Sequence, residues 1–139
     1  MAEFKEAVSK SAKAMWRNLP VLLGVVLLVS LISALIPKGF YTNLFSGNLI
    51  EDSFTGGALG SIMAGNPLTS YILGGELLKQ GVSLVAVTAF LVAWVTVGLV
   101  QLPAESIMLG KKFAIFRNLI SFVFAVIVAI LTVLILGAI

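Results

Sequence analysis

The sequence predicts an all-α integral membrane protein in which three transmembrane helices and one re-entrant helical hairpin follow an N-terminal amphipathic helix. Composition, the lengths of the uncharged runs and a helix-breaking triplet inside one of them carry that prediction. Of 139 residues, 60% are apolar and 11% charged, and mean hydropathy is +1.13. A soluble domain is about half apolar and about a quarter charged, so this chain has too few polar groups to cover a water-facing surface. One membrane domain, residues 1–139, fits the length, because each crossing uses about 20 residues. There is no Cys and no His, which removes thiol nucleophiles, disulfides, imidazole relays and the usual zinc ligand sets. The chain is therefore expected to use no metal or cofactor and not to be an enzyme.

Residues 1–17 set Phe4, Val8, Met15 and Trp16 among Lys5, Lys10, Lys13 and Arg17. Apolar residues at near-helical spacing beside a basic face suit a cytoplasmic helix lying on an anionic leaflet, and a solvated basic leader is the competing reading. Residues 19–36 are uncharged and end at Pro37-Lys38-Gly39, a first span. A cleaved signal would need a shorter apolar core and small residues at the cut.

Residues 53–78 are apolar but interrupted by Gly65-Asn66-Pro67, leaving two pieces of about 12 residues each, the length of re-entrant segments. Asp52 or Ser53 can cap the first piece and Gly65 suits its left-handed end. Asn66 is a good N-cap for the second, and Pro67 sits where a missing N–H is tolerated. Residues 82–102 form a second span stopped by Pro103, residues 104–118 a basic cytoplasmic loop or helix, and residues 119–139 a third span. No internal repeat or strand alternation is evident.

The basic residues choose between a hairpin and a single broken crossing. A hairpin puts Lys5, Lys10, Lys13, Arg17, Lys111, Lys112 and Arg117 on one side against Lys38 and Lys79, seven to two; a crossing gives five to four. Cytoplasmic loops carry the Lys/Arg excess, which favours the hairpin, entered from outside. The expected location is the cell inner (plasma) membrane, multi-pass, with the N-terminus cytoplasmic and the C-terminus outside. One fixed orientation makes any homodimer parallel.

Non-helical backbone at membrane depth survives only beside protein or a water-filled cavity. At the hairpin tip, N–H groups near Leu68 and Thr69 and the side chains of Asn66, Thr69 and Ser70 can hold a polar or anionic group; a merely well-capped turn is the structural alternative. Gly56, Gly60 and Ala64, like Gly57, Ser61 and Gly65, recur every four residues, and Gly74-Gly75 follows. Such faces serve helix packing or an oligomer interface. Thr88 and Thr96 nearly share a face of the second span, where back-bonding to the preceding turn competes with lining a path. Gln101 cannot satisfy its amide that way and is the better cavity candidate. Glu76 is spaced to pair with Lys79, or alternatively serves as a coupling or gating acid. Glu105 suits the N-terminus of the cytoplasmic helix, or alternatively a coupling or gating acid.

The run Gly60-Ser61-Ile62-Met63-Ala64-Gly65-Asn66-Pro67-Leu68-Thr69-Ser70-Tyr71 is followed by Gly74-Gly75-Glu76-Leu77-Leu78 and Gly81-Val82-Ser83. Thr88-Ala89-Phe90, Gly110-Lys111-Lys112 and Arg117-Asn118 come later. Together they resemble the predicted-permease family related to organoarsenical efflux permeases, across about residues 50–120. Full-length relatives contain two similar halves, and this chain looks like one. The resemblance implies a permease working at least as a homodimer, with substrate passing between hairpins. A thiol often seen near the corresponding break is absent, with Asn66, Thr69 and Ser70 there instead, which puts thiophilic arsenicals in doubt.

The expected function is that of a half-size transporter of a small polar or anionic solute. It would work as a parallel homodimer or higher homo-oligomer in the lipid bilayer, with Asn66, Pro67, Thr69, Ser70 and Gln101 on its path. The alternative is a non-transporting scaffold or accessory subunit of a larger complex. The basic residues read as topology signals, so nucleic acid is not an expected partner.

Overall fold

The structure, a computed structural model, describes residues 1–63 and 67–138. All regular structure in it is helical: α1 (Ala2–Leu35), α2 (Lys38–Leu44), α3 (Leu49–Ile62), α4 (Pro67–Lys79), α5 (Leu84–Thr96), α6 (Leu102–Leu109) and α7 (Lys111–Ala138). It divides into two units, Met1–Leu35 and Ile36–Ile139. Gly65 and Asn66, two of the three residues of the expected break, lie outside the described residues.

The first unit is α1 alone. The expected surface helix and first span form one continuous helix, with Pro20 inside it. Pro20 has no N–H to give the Trp16 carbonyl, but the first turns are rich in helix formers and the helix runs through. At 1.5 Å per residue its 34 residues extend about 51 Å.

In the second unit α5 is the central element. Asp52 at the start of α3 accepts a hydrogen bond from Ser83 just before α5. Further along, Gly56 faces Ala86 and Gly60 faces Phe90. Helices α3 and α5 therefore run parallel, held close because these two positions carry no Cβ. Helix α4 returns between them in sequence, and its Gly74 meets Val87 and Leu91. Helix α7 runs antiparallel to α5: Val85 and Ala89 pack with Ala129, and Ala93 and Val97 with Ala125. Ala89, Ala93, Ala125 and Ala129 are fully buried, a small-residue seam that lets the two backbones approach.

Caps and turns explain the boundaries. Asn48, rather than Asp52 or Ser53, caps α3, accepting from the Ile50 N–H. Asp52 instead reaches back to the N–H groups of Ser46 and Gly47, at 3.0 and 3.3 Å, and the Ser53 hydroxyl donates to Ile50 O. Helix α4 ends in a Schellman turn: Gly81 has φ +89, its N–H bonds Leu78 O and the Val82 N–H bonds Leu77 O. Only glycine enters that φ region freely.

The third expected span begins earlier than expected, at Lys111, because Gly110 turns α6 directly into α7. Among the described residues α7 is the one helix long and apolar enough to cross a membrane, with mean hydropathy 3.2 over its best window. The second expected span, 82–102, is not one helix. Regular structure stops at Thr96, well before Pro103, and α5 is only 13 residues, about 20 Å.

Candidate functional site

The two places where helices stop lie at one level. Helix α3 ends at Met63, whose backbone is extended (φ −75, ψ 146), and α4 starts at Pro67, where the absent N–H costs nothing. Helix α5 ends at Val97, also extended (φ −101, ψ 120). The two ends touch: the Leu99 N–H donates to Ser61 O at 3.4 Å. Since α3 and α5 run parallel, both direct their C-terminal carbonyl ends toward the same region.

Beside the end of α3, the start of α4 and the stretch after α5 is a cavity of about 220 Å³, whose walls include Met63, Pro67, Trp94, Val97, Gly98 and Gln101. Gln101 folds over Gly98, where an added Cβ would lie 3.0 Å from Oε1. Its amide and the non-helical backbone after Thr96 are the polar groups at this wall. Val97 also borders an open apolar groove of about 370 Å³, walled by Ser61, Ile62, Leu99, Leu102, Leu119 and Phe122 among others.

Side chains of α6 and α7 hold the interruption in place. Asn118 is buried and uses its whole amide. Oδ1 accepts from the Gly98 N–H at 2.8 Å, and Nδ2 donates to Glu105 Oε2 at 3.1 Å and Ala114 O at 2.9 Å. Arg117 grips Glu105 with two nitrogens, Nε at 3.2 Å from Oε2 and a guanidinium NH2 group on Oε1. Its remaining nitrogen reaches Thr96 O at 3.4 Å, placing a cation at the carbonyl end of α5. The hydrogen bond and charge of Arg117 hold the Glu105 carboxyl below the usual glutamate value, against a smaller opposing effect of burial. Glu105 stands in the first turn of α6, where the sequence expects its charge to favour the helix N-terminus, and it is at the same time the partner of Arg117 and Asn118.

The other expected residues are distributed as follows. Pro67 and Gln101 share the cavity wall; Asn66 falls outside the described residues. Thr69 is half-buried on α4, and the buried Ser70 donates to Pro67 O at 2.6 Å. The Thr88 and Thr96 hydroxyls donate to Leu84 O and Val92 O, so both are spent on their own helix. Glu76 pairs with Lys79 at 3.7 Å and accepts from Gln80, away from the tip. The Gly56 and Gly60 face is filled by α5 and Gly57 by Phe122, so these glycines serve helix packing within the chain. Ser61 is buried with its hydroxyl on Gly57 O, and nothing lies within 4 Å of a Cβ on Gly75.

Sequence reasoning missed Gly98, Arg117, Asn118 and the Asp52–Ser83 contact. A glycine inside the second span, and an Asn at the threshold of an apolar run, were the available signals. Among the described residues no three His, Cys, Asp or Glu side chains gather to hold a metal. Comparison of the chain with family models, curated proteins and solved structures finds no match.

Proposed function

We propose that the chain is a half-size membrane permease for a small polar or anionic solute, acting as a parallel homo-oligomer. The observation that carries this reading is that the end of α3 at Met63 and the start of α4 at Pro67 meet the helix interruption at 97–101 across a cavity of about 220 Å³ in a mostly apolar chain. Such backbone is costly in lipid unless a cavity or protein surrounds it, and discontinuous helices are how transporters present backbone polar groups to cargo. Gln101 and the unwound backbone are the contacts offered.

Three crossings, by α1, by α5 together with the non-helical residues that follow it, and by α7, with α3 and α4 as a hairpin entered from outside, complete the reading. The parallel run of α3 and α5 supports a hairpin, since a single crossing through residues 53–78 would send α5 the opposite way. The exposed Leu119, Phe124, Leu131 and Leu134 on α7 suit a lipid-facing surface. Helix α6, with Glu105, then lies on the cytoplasmic side with Lys111 and Lys112. The resemblance to permeases related to organoarsenical exporters points to the same class of activity. The cavity is small, about 220 Å³, and in this reading the path is completed by another copy.

Proteoliposome flux over a panel of small anions, metalloids and neutral polar solutes tests this. At least one solute should move faster than in empty liposomes and slow in Gln101→Leu; a panel moving no faster than in empty liposomes counts against transport. How few polar side chains line the cavity favours the second reading, a scaffold subunit. In that case mild-detergent purification yields a monomer with a different protein attached.

A further inference from the structure

We propose that Asn118 is the latch of a partition, residues 97–99, that separates the polar cavity at Gln101 from the apolar groove at Ser61. The inference deepens the permease reading by naming the element that must move and the residue that positions it. Residues 97–99 form a wall common to both spaces: Val97 lines each, with Gly98 on the polar side and Leu99 on the apolar side. Val97 is extended and residues 99–101 form a turn, with the Gln101 N–H on Gly98 O and the Leu102 N–H on Leu99 O, so the ties from this segment to other elements run through its N–H groups and the Val97 side chain. The Val97 N–H is on Ala93 O at 2.8 Å, Gly98 is on Asn118 Oδ1 at 2.8 Å, and Leu99 reaches Ser61 O at 3.4 Å. The third bond is long, so the Asn118 contact is the firm tie beyond α5's own last turn.

Asn118 is itself fixed. Its Nδ2 is divided between Ala114 O and Glu105, and Glu105 is gripped by Arg117, which also reaches Thr96 O next to the segment. Asn118 thus links the partition to α6 and α7; without it, Gly98 keeps only the local bond of its carbonyl from the Gln101 N–H at 3.1 Å, and the segment is held to the rest of the fold by Val97 packing against Ala125 and the long Leu99–Ser61 bond. Lifting it joins spaces of about 220 and 370 Å³ into one passage beside the hairpin arm.

The chain contains no Cys, so single introduced thiols report on it cleanly. Ser61→Cys puts a near-isosteric thiol, buried behind the partition, on the apolar side. Its reaction with a small charged thiosulfonate, in the full chain in liposomes, should be slow and should rise about tenfold when Asn118→Ala is added, the shift expected from losing one buried hydrogen bond. Gln101→Cys, already exposed on the polar side, should react alike in both backgrounds. Ser70→Cys, buried on α4, should stay slow in both. Glu105→Gln, which keeps shape but loosens the grip of Arg117, should produce a smaller rise at position 61 if Asn118→Ala does not fold. An unchanged rate at position 61 in the folded variant overturns the proposal, and so does an equal rise at position 70, which would make Asn118 a support of the whole fold. No solute is involved, so the latch and the transport reading can fail separately.

Discussion

Gly56 lies so close to Ala86 that a Cβ added to it would sit 2.0 Å from the Ala86 carbonyl oxygen. One turn later Gly60 stands in the same relation to Phe90, at 2.3 Å. The obstacle at both positions is backbone, which cannot rotate aside as a side chain can. These two contacts set the separation of α3 from α5, and so place the end of α3 beside the interruption in α5.

Gly56→Ala and Gly60→Ala should therefore each destabilise the fold by about 1–3 kcal/mol or more, the range for overpacking. Gly75→Ala, with open space at the Cβ, should be neutral or stabilise by about 0.5–1 kcal/mol through helix propensity. Unfolding titrations in mixed micelles compare the three. Equal losses at all positions would mean that the close approach does not matter.

Asp52 is buried and accepts from Ser46, Gly47 and the Ser83 hydroxyl, the last at 2.5 Å. It ties the entry loop of α3 to the start of α5. Asp52→Ala leaves these donors unpaired and should cost about 3 kcal/mol, while Ser83→Ala removes one partner and should cost about 1 kcal/mol. With Asp52 already replaced, Ser83→Ala should add little, and additive losses in the double-mutant cycle would contradict a direct contact.

The Arg117–Glu105 pair makes a pH prediction. Because the folded-state pKa of Glu105 lies below its ordinary value of 4.5, the unfolded chain binds the proton first as pH falls. The stabilisation is present above that ordinary value and is lost as pH drops through the lower, folded one. The stability gap between wild type and Glu105→Gln should be widest near neutral pH and close progressively below about 4.5. Denaturation at pH 7, 5 and 3.5 reads it, and a gap that widens on acidification would refute the assignment.

Transport variants should separate residues whose polar groups are free from those already spent. Gln101→Leu should lower flux of a carried solute roughly tenfold, the worth of one or two hydrogen bonds. Thr88→Val and Thr96→Val, which lose only a bond to their own helix, should stay close to wild type. If Thr96→Val matched Gln101→Leu, the path would lie on the α5 face instead.

The sequence by itself determined the helical class, the apolar character, the small-residue periodicity and the place of the α3–α4 interruption. Each is written in neighbouring residues: uncharged runs, glycines four apart, and a proline at residue 67 that begins α4. It also singled out Gln101 as an amide that no local bond could satisfy. Where α5 ends was decided only in three dimensions. Nothing in Thr96-Val97-Gly98-Leu99 forbids a helix; α5 stops at Thr96 and Val97 turns extended where Asn118, twenty residues on from Gly98, takes the Gly98 N–H and Ser61 takes that of Leu99. The role of Glu105 was equally hidden. A carboxylate in a helix's first turn reads locally as a favourable charge, and only the fold of α7 back along α6 brings Arg117 and Asn118 to it. Local pattern records what a residue prefers, whereas a hydrogen bond across a fold depends on which distant partner arrives, and that is fixed by packing.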